Sequence, residues 1–382
     1  MSAGPTDTIW KAEPHTIAKI AILEAYLVAY FQILGRTHPN QSLLCIDGFA
    51  GPNQYTNQLS GSPTAALDAA TAAITHTGRE WLANKIHFAF VERNKARYDV
   101  LMQQLPQSTP RIQIHTYNTE FTQALPLIKQ AVPEPFRSGH PLFVFIDPFG
   151  ATGAPFQSVA EILNSPCSEV LINLDADGVS RIFAAKQSAN HEAVLTEIFG
   201  DTSWKTELRD DQTFNVQCRK VLQLYKHRLL TLPDVKYIFE VEMQGNTGNL
   251  NYFLVFASKH PLGLIKMKEA MERISQNDTY KFADADVGQT ALFRFDAPEA
   301  YHMKLYEAFR GQHVVYDSRN DDVTAFALNH TPFVDAKSML RILEGDGMIT
   351  ATESDPRRKR GTFNDAVHKI NFHGRAQDGI LF

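Results

Sequence analysis

The chain has 382 residues, 44% of them apolar, with 37 Lys+Arg against 42 Asp+Glu and a formal net charge of −5. That length suits one large domain and a smaller one; the absence of a run of 18 or more apolar residues argues against a membrane span, and Met1-Ser2-Ala3-Gly4-Pro5 does not start like a signal peptide. The negative charge excludes a surface coated for nucleic-acid binding, so any such contact is local, while Cys45, Cys167 and Cys218 fit no zinc spacing and suit free thiols in a reducing cytoplasm.

Ile17, Ile20, Leu23, Leu27, Tyr30 and Leu34 recur at steps of three and four and predict a helix from Thr16 to Leu34, entered past Pro14. A strand at Ser42 to Ile46 follows, then an Ala-rich helix from Ser62 to Thr77. Next come a strand at Ile86 to Val91, a helix from Lys95 to Leu105, a strand at Ile112 to Thr116 and a helix from Thr122 to Ala131. Strands at Leu142 to Ile146 and Glu169 to Asn173 flank a helix ending near Asn164. Residues 180–232 have helical periodicity, broken at Gly200-Asp201, and read as an inserted helical subdomain. Val235 to Val241 and Tyr252 to Ala257 are strands, joined by Gly245-Asn246-Thr247-Gly248-Asn249 with hairpin chemistry. A helix from Leu262 to Ile274 closes this part. An alternation of strands and helices that ends in an antiparallel hairpin is the order expected of a class I, Rossmann-like α/β domain over residues 1–275.

Residues 276–320 read as a polar connector. From 321 to 382 the pattern is helix (Val323 to Asn329), helix (opening at Pro332-Phe333-Val334-Asp335), break (Gly345-Asp346-Gly347), and two strands (Met348 to Thr352, Asp365 to Phe372) around the basic tip Arg357-Arg358-Lys359-Arg360. That is a winged helix-turn-helix pattern. Lys337 and Arg341 on the second helix, with the four basic residues of the tip, are candidates for phosphate contacts.

Three apolar strands each stop at a carboxylate: Asp47, Glu92 and Asp147. Asp47 leads into Gly48-Phe49-Ala50-Gly51-Pro52-Asn53, small residues that let backbone approach a ligand, with Asn53 tolerant of left-handed backbone. This describes a site for S-adenosylmethionine (SAM) better than one for a dinucleotide, which lacks its Gly-x-Gly-x-x-Gly here. Asp47, Phe49, Gly51 and Ser62 are the expected cofactor contacts at this loop. Glu92 is placed to accept both ribose hydroxyls, and Asn118 to meet adenine. His15 and Lys19 share a helix face and are near-ligand candidates; no histidine pair suggests a metal. Asp147-Pro148-Phe149-Gly150 resembles the strand-end turn with which amino-methyltransferases orient a target amine, although the second proline is absent and Gly150 replaces the terminal aromatic. Asp147, Pro148 and Phe149 are the catalytic candidates, acting mainly by positioning. All three acids are expected to converge on one crevice.

Asp47-Gly48-Phe49-Ala50-Gly51-Pro52, Gly61-Ser62-Pro63, Asp147-Pro148-Phe149-Gly150, Glu169-Val170-Leu171-Ile172-Asn173 and Tyr252 to Pro261 together resemble the three-Cys-motif partner (TcmP) family, over roughly Trp10 to Ile274. The tail is similar to the winged-helix domain appended to some of its members. More distantly, the aspartate-led loop, the Gly-Ser-Pro and the Asp-Pro turn resemble RlmJ-type adenine-N6 methyltransferases. The resemblance implies SAM as cofactor, a nucleic-acid target, and a radical-SAM-like companion protein that carries the three cysteines. Two functions stay open: SAM-dependent methylation of an amine on a nucleic acid, or a non-catalytic DNA-binding partner whose Rossmann-like domain docks the companion.

Overall fold

A computed structural model describes residues 7–57, 59–185, 189–208, 213–244, 250–275, 298–317, 321–353, 358–364 and 367–374. The chain divides into two units, Met1–Ala285 and Asp286–Phe382.

In the larger unit the chain runs α1 (Pro14–Thr37), β1 (Leu43–Asp47), α2 (Ser62–Thr77), β2 (Ile86–Val91), α3 (Lys95–Gln104), β3 (Ile112–Tyr117), α4 (Phe121–Ala131), α5 (Glu134–Arg137), β4 (Leu142–Ile146), α6 (Phe156–Leu163) and β5 (Ser168–Leu174). Then follow α7 (Ala176–Ala184), α8 (Ala189–Phe199), α9 (Trp204–Glu207), α10 (Phe214–Leu230), β6 (Tyr237–Gln244), β7 (Leu250–Ser258) and α11 (Pro261–Ser275). The sheet order is β3-β2-β1-β4-β5-β7-β6. The first five strands in that order are parallel, and β7 pairs antiparallel with both β5 and β6. This is the mixed α/β sheet expected from the closing hairpin; the hairpin turn at 245–249 lies outside the described residues.

Every residue of β1 and β4 is buried. Strands covered on both faces read as unbroken apolar runs, which is why Leu43-Leu44-Cys45-Ile46 and Leu142-Phe143-Val144-Phe145-Ile146 carry no polar alternation. Leu44 and Ile46 join a core with α4, α6, α7 and α10. On the opposite face Tyr26 of α1 packs its ring against Phe143 and Phe256. The winding direction reverses between β1 and β4, and ligands of such sheets bind beyond the carboxyl ends of the strands at that point. Asp47 and Asp147 stand there.

Four findings bear on the sequence reading. By length and hydropathy α1 passes as a membrane span, with a mean hydropathy of 1.7 in its most apolar window, but half of that window is buried inside the unit, as in a core helix. Helices α7 to α10 are no separate subdomain, because Phe183, Phe199, Trp204, Val221 and Tyr225 belong to the same core as β5 and β7. Of the expected connector, 276–297 and 318–320 lie outside the described residues, while 298–317 holds α12 (His302–Phe309) and β8 (His313–Val315). Finally, the helix expected to open at Pro332, α14 (Lys337–Gly345), starts at Lys337: Asp335 accepts a hydrogen bond from the Lys337 amide at its entry, at 2.9 Å.

The smaller unit is α12, β8, α13 (Asp322–His330), α14 (Lys337–Gly345), β9 (Ile349–Glu353) and β10 (Val367–Phe372). Its antiparallel sheet has the order β8-β10-β9. Leu305, Val314, Val323, Met339, Leu340 and Ile370 meet in its core.

Candidate functional site

The loop after β1 is tied down by its own side chains. Asp47 Oδ1 accepts the Phe49 amide at 3.1 Å, and Oδ2 accepts the Ser62 hydroxyl at 2.6 Å. Burial raises the Asp47 carboxyl to about 7, against the lowering effect of those two bonds; Asp147 and Glu92 push it up further. Gly51 (φ 62°) and Asn53 (φ 58°) are both left-handed. Asn53 Oδ1 takes the Gly61 and Thr64 amides, each at 3.1 Å, and so caps α2 from across the loop. A methyl group on Gly48 would come within 2.8 Å of the Phe121 ring, so the chain turns there against an aromatic face.

Glu92 follows β2 and is buried. Its Oε1 accepts the Asn94 amide at 2.5 Å, and desolvation raises its pKa. It faces a hollow of about 280 Å³ lined also by Gly48, Phe49, Arg97, Phe121 and Phe149. Asn118 stands behind this hollow without lining it: its amide nitrogen donates to the carbonyls of Glu92 (2.8 Å) and Arg93 (3.2 Å).

Asp147, just past β4, lines a second hollow of about 470 Å³ together with His15, Lys19, Tyr55, Pro148 and Tyr252. Lys19 Nζ lies 2.6 Å from Asp147 Oδ1 and 2.7 Å from Oδ2, and Asn173 donates to Oδ1 at 2.7 Å. His15 is lowered to about 4 by burial and by the Lys19 charge, so it is neutral at physiological pH. Gly150 sits at φ 88°, a conformation strained for the aromatic residue that amino-methyltransferases carry there.

The three acids therefore do not share one crevice. Glu92 and Asp147 face adjoining hollows walled in common by Phe49 and Phe149, and Asp47 lines neither. Asp47 is enclosed beneath the loop, bonded to Phe49 and Ser62. Gly51 and Ser62 fall in the larger hollow. Trp10 and Arg97 escaped the sequence reading. The Arg97 guanidinium lies 4.8 Å from the Trp10 ring and 5.1 Å from the Phe149 ring, and it donates to the Asp7 carbonyl. This stack holds the segment before α1 over the wall between the hollows. Trp10, an aromatic in a polar stretch, was its only sequence signal. Among the described residues no group of three or more His, Cys, Asp or Glu is arranged to hold a metal ion.

In the smaller unit the basic tip is not a free set of charges. Arg358 makes a bidentate pair with Glu344 (both contacts 2.9 Å), its side chain only 2% exposed, and covers the Phe363 ring. Arg360 donates to the Glu344 carbonyl, and Arg341 to the Gly361 carbonyl at 3.2 Å. These contacts pin the tip to the end of α14 and correct the expectation that Arg358 reaches outward for phosphate; Arg360, though bonded to the Glu344 carbonyl, is exposed. Lys359 is exposed, Lys337 pairs loosely with Asp335 at 3.8 Å, and Arg357 lies outside the described residues.

No family model and no curated protein matches the chain. Among solved structures it is similar to a protein from Legionella pneumophila (12% identity, 69% of this chain and 91% of that one, TM-score 0.37). It is also similar to an O-methyltransferase from Bacillus cereus in complex with SAH (13%, 62% and 80%, 0.34) and to a SAM-dependent methyltransferase from Methanosarcina mazei (10%, 59% and 96%, 0.25). Likenesses this slight carry no argument about chemistry.

Proposed function

We propose that the larger unit is a SAM-dependent methyltransferase acting on an amine of a nucleic-acid base. The observation that carries this reading is the pair of hollows lined in common by Phe49 and Phe149 at the point where the sheet reverses, with a carboxylate in each, Glu92 buried and Asp147 half-buried. Glu92, oriented by the Asn94 amide, is suited to accept ribose hydroxyls, and the Gly48 to Gly51 loop to run close along the nucleoside. Bound SAM would supply a methyl group on a sulfonium; the amine nitrogen would take it as the carbon–sulfur bond breaks, giving S-adenosylhomocysteine and releasing one amine proton to solvent. Asp147 Oδ2, which among the described residues accepts only from Lys19, has a lone pair left for an N–H of the incoming amine and so orients the nitrogen. Phe149, 39% exposed, offers a ring face to the base.

The smaller unit supports a winged-helix reading through two helices followed by strands, as the nucleic-acid-docking part. The three free thiols suit a cytoplasmic location. Bidentate occupation of Asp147 by Lys19 favours a second reading: a non-catalytic nucleic-acid-binding partner that docks a three-Cys-motif companion.

Calorimetric titration with SAM, followed by transfer of labelled methyl groups to mixed DNA and RNA, decides between them. Under the first reading SAM binds, Glu92→Ala weakens it roughly tenfold to a hundredfold, and Asp147→Ala lowers transfer by about 10²-fold while SAM binding persists. Absence of SAM binding by the wild type would remove the enzymatic reading; binding without transfer would favour the partner.

A further inference from the structure

The larger hollow contains more than an orienting acid. Lys19 is 6% exposed and lies against both oxygens of Asp147. Asn173 shares Oδ1, so Oδ2 keeps a free lone pair. An ammonium has three N–H donors. Two engage Asp147; among the described residues no oxygen or nitrogen accepts the third, and Nζ lies 5.5 Å from the centre of the Tyr252 ring, a weak contact that a ring nitrogen of a ligand can replace. Oδ2 and Nζ thus present one acceptor and one donor side by side, in a hollow walled by the rings of Trp10, Tyr55, Phe149 and Tyr252.

Building on the methyltransferase reading, we infer that the Asp147–Lys19 pair reads the Watson–Crick edge of adenine or cytosine, with Lys19 as the specificity-determining residue. The exocyclic amino group donates to Asp147 Oδ2, and the unprotonated ring nitrogen two bonds away accepts from Lys19. Guanine on the same edge sets an N1–H donor against the ammonium, and uracil and thymine have no amino group. Such contact requires the base to leave its stack, and aromatic walls favour a planar ring that has done so. Lys19 touches the base but takes no part in bond making.

The test is equilibrium binding of the full chain to short single-stranded oligonucleotides, as DNA and as RNA, carrying adenine, 1-deazaadenine or guanine at one position. Replacing the ring nitrogen by carbon removes only the Lys19 contact. The wild type is expected to bind adenine about tenfold more tightly than 1-deazaadenine, and in Lys19→Met that ratio should fall to about one. The wild-type comparison needs no variant, so it stands even if Lys19→Met fails to fold. Equal wild-type affinities, or no binding of either oligonucleotide, overturn the inference and leave the SAM titration to judge the cofactor. A Lys19→Met protein that loses SAM affinity but keeps the base preference assigns Lys19 to the cofactor and also overturns it. Discrimination without methyl transfer supports the inference and overturns only the catalytic reading.

Discussion

Burial without a counter-ion governs Asp47. Its folded-state value of about 7, set mainly by desolvation, stands well above the ordinary 3.8. The folded protein holds this proton more tightly than the unfolded chain does. The favourable contribution is therefore complete below about pH 3.8 and lost as pH rises through 7. The difference corresponds to on the order of 4 kcal/mol. Asp47→Asn should accordingly flatten the fall in Tm between pH 4 and pH 7.5; an unchanged slope in thermal melts would show that Asp47 is not its source. Single residues also mark where sequence reasoning stops. Asp147 was legible because an apolar strand ends at it. Its partner Lys19 was found only as a helix-face neighbour of His15, because 128 residues separate the pair and no local pattern joins them.

At the scale of elements, the joint between α14 and the basic tip is the least expected arrangement. Glu344 is buried and accepts Arg358 bidentately as well as the Gly361 amide at 2.6 Å. Removing one member of such a pair leaves a buried charge uncompensated, which costs about 3 kcal/mol or more. Arg358→Ala should lower the unfolding midpoint of the smaller unit accordingly, whereas Lys359→Ala should stay within about 0.5 kcal/mol. Urea unfolding of the full chain measures both, and equal effects would refute the joint. Composition showed a basic run here but not which charges face inward, since that depends on a glutamate at the far end of another helix. Strands β1, β2 and β4 were readable because burial on both faces leaves an apolar signature. β8 was not: three residues, His313-Val314-Val315, with only Val314 buried, are too short to show alternation.

For the molecule as a whole, the closing antiparallel hairpin was the feature that made the sheet order foreseeable, and the reversal between β1 and β4 then locates the site. The division into two hollows was not foreseeable. It depends on Phe49 and Phe149, on loops after different strands, both lining the two hollows, and on a segment before α1 that carries no secondary-structure signal. That segment has a practical consequence. Of the three tryptophans, Trp81 and Trp204 are buried, whereas Trp10 is partly exposed and stacked on a guanidinium beside the shared wall. Its indole emission should shift in wavelength or yield when either hollow fills, and Trp10→Phe should abolish the change. The protein thus carries its own optical reporter, sparing ligand titrations an attached dye.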